Sequence, residues 1–234
     1  MALWAEYKDA NVQAESLAAI IAGQLMTALA DNGRATLAVP GGTTPGAFLR
    51  ALSRANIDWS RVSVLLTDER FVPEISARSN TRLLREVLLQ GPAAAARLVP
   101  LYKDAARPED VLRALSDGIH AVLPLDVCVL GMGTDMHIAS LFPGADRLDE
   151  GLDPDGSEVL LPMRAPGAPE PRLTLTAPVL RGARHLHLLI IGPQKLTALK
   201  SAEQPGPTTD APVRLILTAP SELTVHYTET AEPA

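Results

Sequence analysis

The chain has 234 residues, 47% of them hydrophobic and 21% charged, which is typical of a globular protein with a sizeable core. Its net charge of -6 argues against a nucleic-acid-binding surface, and its one cysteine, Cys128, excludes an intramolecular disulfide. The first residues lack the basic start and apolar run of a signal peptide, and no apolar run approaches the roughly 20 residues that span a membrane. We therefore expect a cytoplasmic protein that binds neither nucleic acid nor membrane.

Helical and strand-like segments alternate along the chain. Apolar residues at helical spacing predict a first helix over 9–30, with Asp9 as its N-cap and Asn32-Gly33 as its end. Short apolar runs predict strands at 36–39, 62–66, 98–101, 127–130, 159–161, 186–191, 213–217 and 223–227. Further helices are predicted at 47–52, 81–89, 108–122, 173–180 and 194–202.

The order of these segments predicts the fold class. Strands that alternate with helices at this spacing form a mainly parallel sheet with helices on both faces, a Rossmann-like α/β fold. Residues 146–171 are rich in Pro, Gly and Asp, and they predict a small additional β excursion on the surface. We expect the whole chain, residues 1–234, to be a single domain.

A glycine-rich turn, Gly41-Gly42-Thr43-Thr44, joins the first predicted strand to the helix that follows it. Glycines let the backbone approach a ligand, and the exposed N–H groups of such a turn attract an anion at the helix N-terminus. The turn is neither a P-loop nor a dinucleotide fingerprint, because the lysine and the third glycine are missing. A plain tight turn is as good an interpretation of this motif taken alone.

Charged residues follow two other predicted strands. Asp68-Glu69-Arg70 comes directly after the strand at 62–66, and ligands in open α/β sheets bind at the carboxyl ends of strands. Lys195 lies in the first turn of a helix, where the helix dipole disfavours a cation unless an anion lies in front of it. Arg172, after a proline-rich loop, is a further candidate for an anion site. Solvated surface charge is the common alternative for each of them.

The segment Asp126–Gly144 is the most informative part of the sequence. An apolar strand breaks at Gly131 and Gly133, and an acid, Asp135, and a histidine, His137, follow at once. A histidine at a strand's carboxyl end can take a proton near neutral pH, although a structural histidine is the more common case. The sequence has no serine-hydrolase elbow and no zinc motif. His185 and His187 share a strand face without a recognisable third metal ligand, so no metal is expected.

Six motifs in this order identify the chain as resembling the 6-phosphogluconolactonase family of the sugar-phosphate isomerase/deaminase-like superfamily. They are VPGGTTPGAFL, LLTDERFVP, SARSN, LGMGTDMHIASLFPG, PRLTLT and IIGPQK, and the resemblance covers about 38–217. It implies cofactor-free hydrolysis of 6-phospho-D-glucono-1,5-lactone to 6-phospho-D-gluconate by a monomer or homodimer. The implied base is His137, oriented by Asp68 or Asp135, with Arg70 stabilising the oxyanion or binding substrate hydroxyls. The implied substrate-binding residues are Gly41, Gly42, Thr43, Thr44, Arg78, Asn80, Arg172 and Lys195.

The chain departs from the family pattern at two positions. Met136 stands where the family has a glycine, and it would be strained if the backbone there needs a positive φ. Pro40 stands where the family has a serine. A glucosamine-6-phosphate deaminase is the nearest alternative and a non-catalytic sugar-phosphate sensor is another. Ile138 favours the deaminase, whereas the stretch 139–143 and Asp68-Glu69-Arg70 favour the lactonase.

Overall fold

The computed structural model describes residues 2–230 and contains a seven-stranded sheet and a smaller three-stranded one. The strands in chain order are β1 (Leu3–Tyr7), β2 (Ala35–Val39), β3 (Val62–Leu66), β4 (Asp68–Arg70), β5 (Arg97–Leu98), β6 (Val127–Gly131), β7 (Leu160–Met163), β8 (Arg172–Leu175), β9 (His185–Ile191) and β10 (Leu223–Thr228). The helices are α1 (Ala10–Asn32), α2 (Gly46–Ser53), α3 (Asn80–Val87), α4 (Leu112–His120), α5 (Leu148–Leu152), α6 (Ala177–Arg181), α7 (Pro193–Ala202) and α8 (Arg214–Leu217).

The large sheet has the order β1-β10-β9-β6-β2-β3-β5, and all of its strand pairs are parallel. Every residue of β2 is buried, as in a parallel sheet that helices cover on both faces. The predicted α/β class is therefore confirmed. Because the strands are parallel, the turns after β9, β6, β2 and β3 meet along one edge of the sheet.

The smaller sheet, β4-β8-β7, is antiparallel, and it is the β excursion that the sequence predicts. It begins at Asp68-Glu69-Arg70, which the sequence alone places in a loop after the strand at 62–66. Arg70 pairs with Arg172 across β4 and β8, so the small sheet brings together charged residues that are distant in sequence.

Four segment predictions are wrong or too long. Residues 173–180 are not one helix, because Leu173 and Leu175 alternate with threonines in β8 and Pro178 then opens α6. Residues 213–217 form helix α8 rather than a strand, since periodicity does not separate short apolar helices from strands. The strand at 98–101 is limited to β5, and regular α-helix in 108–122 is limited to α4. Strand β1 was not predicted.

Helix α1 is long and apolar enough to cross a membrane by length and composition, contrary to the expectation that no run qualifies. Its apolar side chains Leu17, Ile21 and Leu25 are fully buried in the core. Asp9 caps its N-terminus by accepting a hydrogen bond from the Val12 N–H, and Gly33 ends it at φ 72°. The burial is that of a core helix.

Candidate active site

A cavity of about 230 Å³ lies where the turns after β9, β6, β2 and β3 meet. Its lining combines residues from all four turns with residues of the small sheet. The lining residues are Pro40, Gly41, Gly42, Thr44, Pro45, Asp68, Arg70, Asn80, Gly131, Met132, Gly133, His137, Ala139, Arg172, Leu189 and Lys195.

His137 and Asp135 form a hydrogen-bonded pair at this cavity. The distance from His137 Nδ1 to Asp135 Oδ1 is 2.6 Å, and the His137 ring packs on Phe142 with centroids 4.2 Å apart. A carboxylate only accepts, so Nδ1 carries the proton in neutral His137 and Nε2 keeps a free lone pair. Of the two acids suggested by the sequence, Asp135 is therefore the one that contacts the histidine.

The turn that presents His137 has an unusual backbone. Met136 has φ 66° and Ala139 has φ 50°, in the left-handed region that side chains other than glycine rarely adopt. The Val213 N–H donates to the Met136 carbonyl at 3.0 Å, and the Gly133 N–H donates to the His137 carbonyl at 3.0 Å. The backbone does require a positive φ at position 136, so Met136 is strained there.

Asp68 is buried and held by other partners. The Ser140 hydroxyl donates to Asp68 Oδ2 at 2.6 Å, and Arg172 Nη1 lies 3.7 Å from the same oxygen. The Ser140 N–H in turn donates to the Thr174 hydroxyl. Asp68 therefore contacts Ser140 and Arg172, and it does not orient His137.

Three cations line the cavity. Arg172 lies 5.6 Å from the centroid of Phe142, and burial lowers the pKa of Arg172 and of Lys195. Within residues 2–230, the buried Nε atoms of Arg70 and Arg172 have no hydrogen-bond partner. Arg70, Arg172 and Lys195 place three cationic side chains at one part of the cavity, which gives it the chemistry of an anion site.

The glycine-rich turn closes the cavity next to these cations. Gly42 has φ 85°, and a Cβ on Gly41 would lie 2.1 Å from Cγ of Asn80. Asn80 Nδ2 donates to the Asp68 carbonyl at 3.1 Å. Gly41 therefore lets the Asn80 side chain lie directly against the turn.

Most of the predicted site residues line the cavity, but three do not. Asp135 lies behind His137, and Thr43 borders a smaller neighbouring cavity. The Arg78 guanidinium pairs with Glu170, and the Arg78 carbonyl accepts a hydrogen bond from Arg70 Nη1 at 2.7 Å. Arg78 therefore contacts the site through its backbone, while its side chain lies away from the cavity lining.

Other residues of the site were missed from the sequence. Ser140 and Phe142 lie in the LGMGTDMHIASLFPG motif, yet only the fold shows that they contact Asp68 and His137. The His185/His187 pair is not part of the site. His187 is buried, and its ring nitrogens contact His226 and Gln24. In residues 2–230 no group of three or more His, Cys, Asp or Glu side chains has metal-binding geometry.

A family model described as "Glucosamine-6-phosphate isomerases/6-phosphogluconolactonase" matches residues 8–226. A 6-phosphogluconolactonase of Pseudomonas aeruginosa is 48% identical over 220 residues, covering 94% of this chain and 92% of that protein. One of Rhizobium meliloti is 47% identical, with coverage of 94% and 96%.

Solved structures give the same result. The crystal structure of a 6-phosphogluconolactonase from Shewanella baltica superposes with a TM-score of 0.94 at 31% identity, covering 97% of this chain and 98% of that one. A monomeric glucosamine-6-phosphate deaminase superposes with a TM-score of 0.79 at 17% identity, which shows a shared fold. The chain belongs to the glucosamine-6-phosphate isomerase/6-phosphogluconolactonase family.

Proposed function

We propose that the protein hydrolyses 6-phospho-D-glucono-1,5-lactone to 6-phospho-D-gluconate. The observation that carries this proposal is that His137, hydrogen-bonded to Asp135, lines the same cavity as Arg70, Arg172 and Lys195. A base for water and an anion site are what hydrolysis of a phosphorylated lactone requires. The similar curated proteins are named 6-phosphogluconolactonase, which supports the same activity. A cytoplasmic location fits this role.

The free Nε2 of His137 takes a proton from water as the water oxygen attacks the lactone carbonyl carbon. The resulting oxyanion is stabilised by a nearby cation, for which Arg70 is our candidate. When the tetrahedral intermediate collapses, the bond from carbon to ring oxygen breaks, and the imidazolium returns its proton to that oxygen. Asp135 stabilises the imidazolium between the two steps. A general base typically contributes about 10²–10⁴-fold, enough for an already electrophilic δ-lactone.

The 6-phosphate is assigned to the cationic part of the cavity. Arg172 and Lys195 supply charge-assisted donors, and Gly41, Gly42 and Thr44 supply backbone and hydroxyl donors at the start of α2. Lys195 in the first turn of α7 is unfavourable next to the helix dipole, and a bound phosphate would offset this.

The deaminase alternative is disfavoured by one residue. The deaminase pattern has a glutamate where Phe142 stands here, and Phe142 packs on His137 and under Arg172. Ring opening and proton transfer between carbons need further acid/base groups, and this position supplies an aromatic ring instead.

Purified protein mixed with freshly made lactone is expected to release acid faster than the spontaneous reaction, as followed with a pH indicator. The same protein is expected to release no ammonia from glucosamine 6-phosphate. Activity should survive exhaustive chelation, because His137 alone activates the water. Ammonia release at a comparable rate would favour the deaminase, and binding of 6-phosphogluconate without turnover would favour a sensor.

A further inference from the structure

Glu69 is fully buried beside the site, and the proposed mechanism does not use it. Its carboxylate lies within hydrogen-bond distance of five donors. Oε1 accepts from the Arg70 N–H at 2.7 Å and the Asn80 N–H at 2.8 Å. Oε2 accepts from the Thr81 N–H at 2.6 Å, the Thr81 hydroxyl at 2.7 Å and the Ser79 hydroxyl at 3.2 Å. All five partners donate, so a carboxylate, which only accepts, satisfies every one of them.

These bonds attach helix α3 to strand β4. The first N–H groups of a helix lack partners within the helix, and a negative charge at that end is stabilising. Glu69 accepts from the first two residues of α3, and the Ser79 hydroxyl accepts from the Arg82 N–H at 3.2 Å. The start of α3 is therefore held jointly by its N-cap, Ser79, and by a residue of β4, Glu69.

Asn80 connects this junction to the cavity. The Asn80 N–H donates to Glu69, and the Asn80 side-chain amide donates to the Asp68 carbonyl. These two hydrogen bonds hold the Asn80 side chain against Gly41. Asn80, Asp68 and Gly41 all line the cavity, whereas Glu69 does not. A substitution at Glu69 can therefore alter the glycine-rich turn by moving Asn80.

We propose that Glu69 is a positioning residue that fixes the Gly41-Gly42 turn for phosphate binding by holding Asn80. The proposal rests on the proposed function, which assigns the substrate phosphate to this turn. In Glu69→Gln either orientation of the new amide would set its NH2 group against an N–H of Asn80 or Thr81, so the start of α3 that carries Asn80 would shift. A purely structural role would lower the stability of the fold and leave the affinity of the folded protein unchanged.

The test compares Glu69→Gln, Asn80→Ala and the double variant with wild type, at a temperature where circular dichroism shows each to be folded. Calorimetry gives the Kd for 6-phosphogluconate, and lactone hydrolysis gives KM and kcat. Each single variant is expected to raise Kd and KM by about tenfold, the loss of one turn N–H bond to the phosphate as the turn shifts, with a smaller change in kcat. The double variant should have a Kd no higher than that of the single variant that binds less tightly, because both substitutions disturb the same contact between Asn80 and Gly41.

Glu86→Gln is the matched control, since Glu86 is an exposed carboxylate on the same helix and should leave Kd unchanged. Wild-type Kd and KM in Glu69→Gln, or additive effects in the double variant, would overturn the proposal. If Glu69→Gln fails to fold, wild-type affinity in Asn80→Ala overturns it equally. Wild-type protein that binds 6-phosphogluconate without hydrolysing the lactone would contradict the proposed function alone, and absence of binding would contradict both.

Discussion

His137 can accept a proton at Nε2 only while Nδ1 keeps its own, and the 2.6 Å contact with Asp135 enforces that arrangement. Gly133 lies directly against this hydrogen-bonded pair. A Cβ at Gly133 would lie 2.3 Å from both Asp135 Oδ1 and His137 Nδ1, so the pair depends on a missing side chain. The hydrogen bond between Asp135 and His137 therefore requires a glycine at position 133.

His137→Asn is expected to lower kcat by at least about 10²-fold, because asparagine cannot act as a base for water. The Kd for 6-phosphogluconate should change little, since the phosphate is assigned to other residues. Steady-state kinetics and calorimetry on the folded variant give the two numbers. Near-wild-type turnover would remove His137 from the mechanism.

Lys195→Ala is expected to weaken 6-phosphogluconate binding by about 1.5–3 kcal/mol, the range for hydrogen bonds to charged groups. In residues 2–230 no ion pair involves Lys195, so its removal leaves no carboxylate unpaired. Arg172→Ala should have an effect of similar size. Lys200→Ala, an exposed lysine on the same helix, is the control and should bind as wild type does. Unchanged affinity in both Lys195→Ala and Arg172→Ala would place the phosphate elsewhere.

Met136→Gly is expected to keep or raise the free energy of unfolding by up to about 1 kcal/mol, because glycine adopts φ 66° without strain. The larger unfolded-state entropy of glycine, and the loss of the Met136 side chain that packs partly buried against the core, partly offset this gain. The same change at Met26, exposed on helix α1, should instead lower the free energy by about 1 kcal/mol. Urea denaturation of both variants measures the difference, and equal losses would contradict the expectation that relief of strain outweighs the lost packing at position 136.

At the scale of elements, β9, β10, β1 and α1 are joined by a chain of polar side chains. Gln24 Oε1 accepts from His187 Nε2 at 2.9 Å, so His187 Nδ1 must accept from His226 Nε2 at 3.0 Å. His226 Nδ1 then accepts from the Tyr7 hydroxyl at 2.8 Å. In this chain every N–H or O–H group faces an acceptor, which requires both histidines to be neutral. A proton added to either ring would place two donors against each other.

This histidine chain predicts acid sensitivity. Burial lowers the pKa of His187 to about 3, with His226 and His185 contributing, and burial lowers the pKa of His226 to about 4. Below the ordinary value of 6.5 the unfolded chain binds protons that the folded protein does not. The free energy of unfolding should therefore fall as the pH drops from 6.5 towards 4, by roughly 2 kcal/mol per histidine over the first 1.5 pH units.

Urea midpoints at pH 7 and pH 5 test this for wild type, His226→Gln and the exposed control His120→Gln. His226→Gln should lose less stability between the two pH values than wild type, and His120→Gln should lose the same amount. An equal loss in all three proteins would show that the buried pair does not set the acid response.

Element type was predictable where a segment was long or followed by a clear stop. Helix α1 has a cap at Asp9 and an end at Gly33, and both are visible in the sequence. Residues 213–217 were not predictable, because four or five apolar residues fit a helix and a strand equally well. Strand β1 was missed because its apolar run, Leu3–Ala5, is short and is not buried, and it forms a strand by pairing with β10.

At the scale of the whole molecule, a parallel sheet explains why the sequence could group the candidate site residues. Residues that directly follow β2, β3, β6 and β9 lie at the same edge of the parallel sheet. The sequence alone therefore predicts that His137 and Lys195 lie near each other. Contacts across the fold could not be placed in this way. Ser140 and Asp68 are 72 positions apart, and nothing in either local sequence indicates their hydrogen bond. The prediction of a single domain over residues 1–234 stays a prediction.

The pairing of β1 with β10 also orders events during synthesis. Tyr7 and His226 are 219 positions apart, so β1 leaves the ribosome well before its pairing partner β10 has been made. At about 5–20 residues per second this wait lasts on the order of tens of seconds. During that time β1, with its exposed Leu3 and Trp4, has no native neighbour in the sheet. A nascent chain that stops before Leu223 contains all four turns that line the cavity but lacks β10, the strand with which β1 pairs.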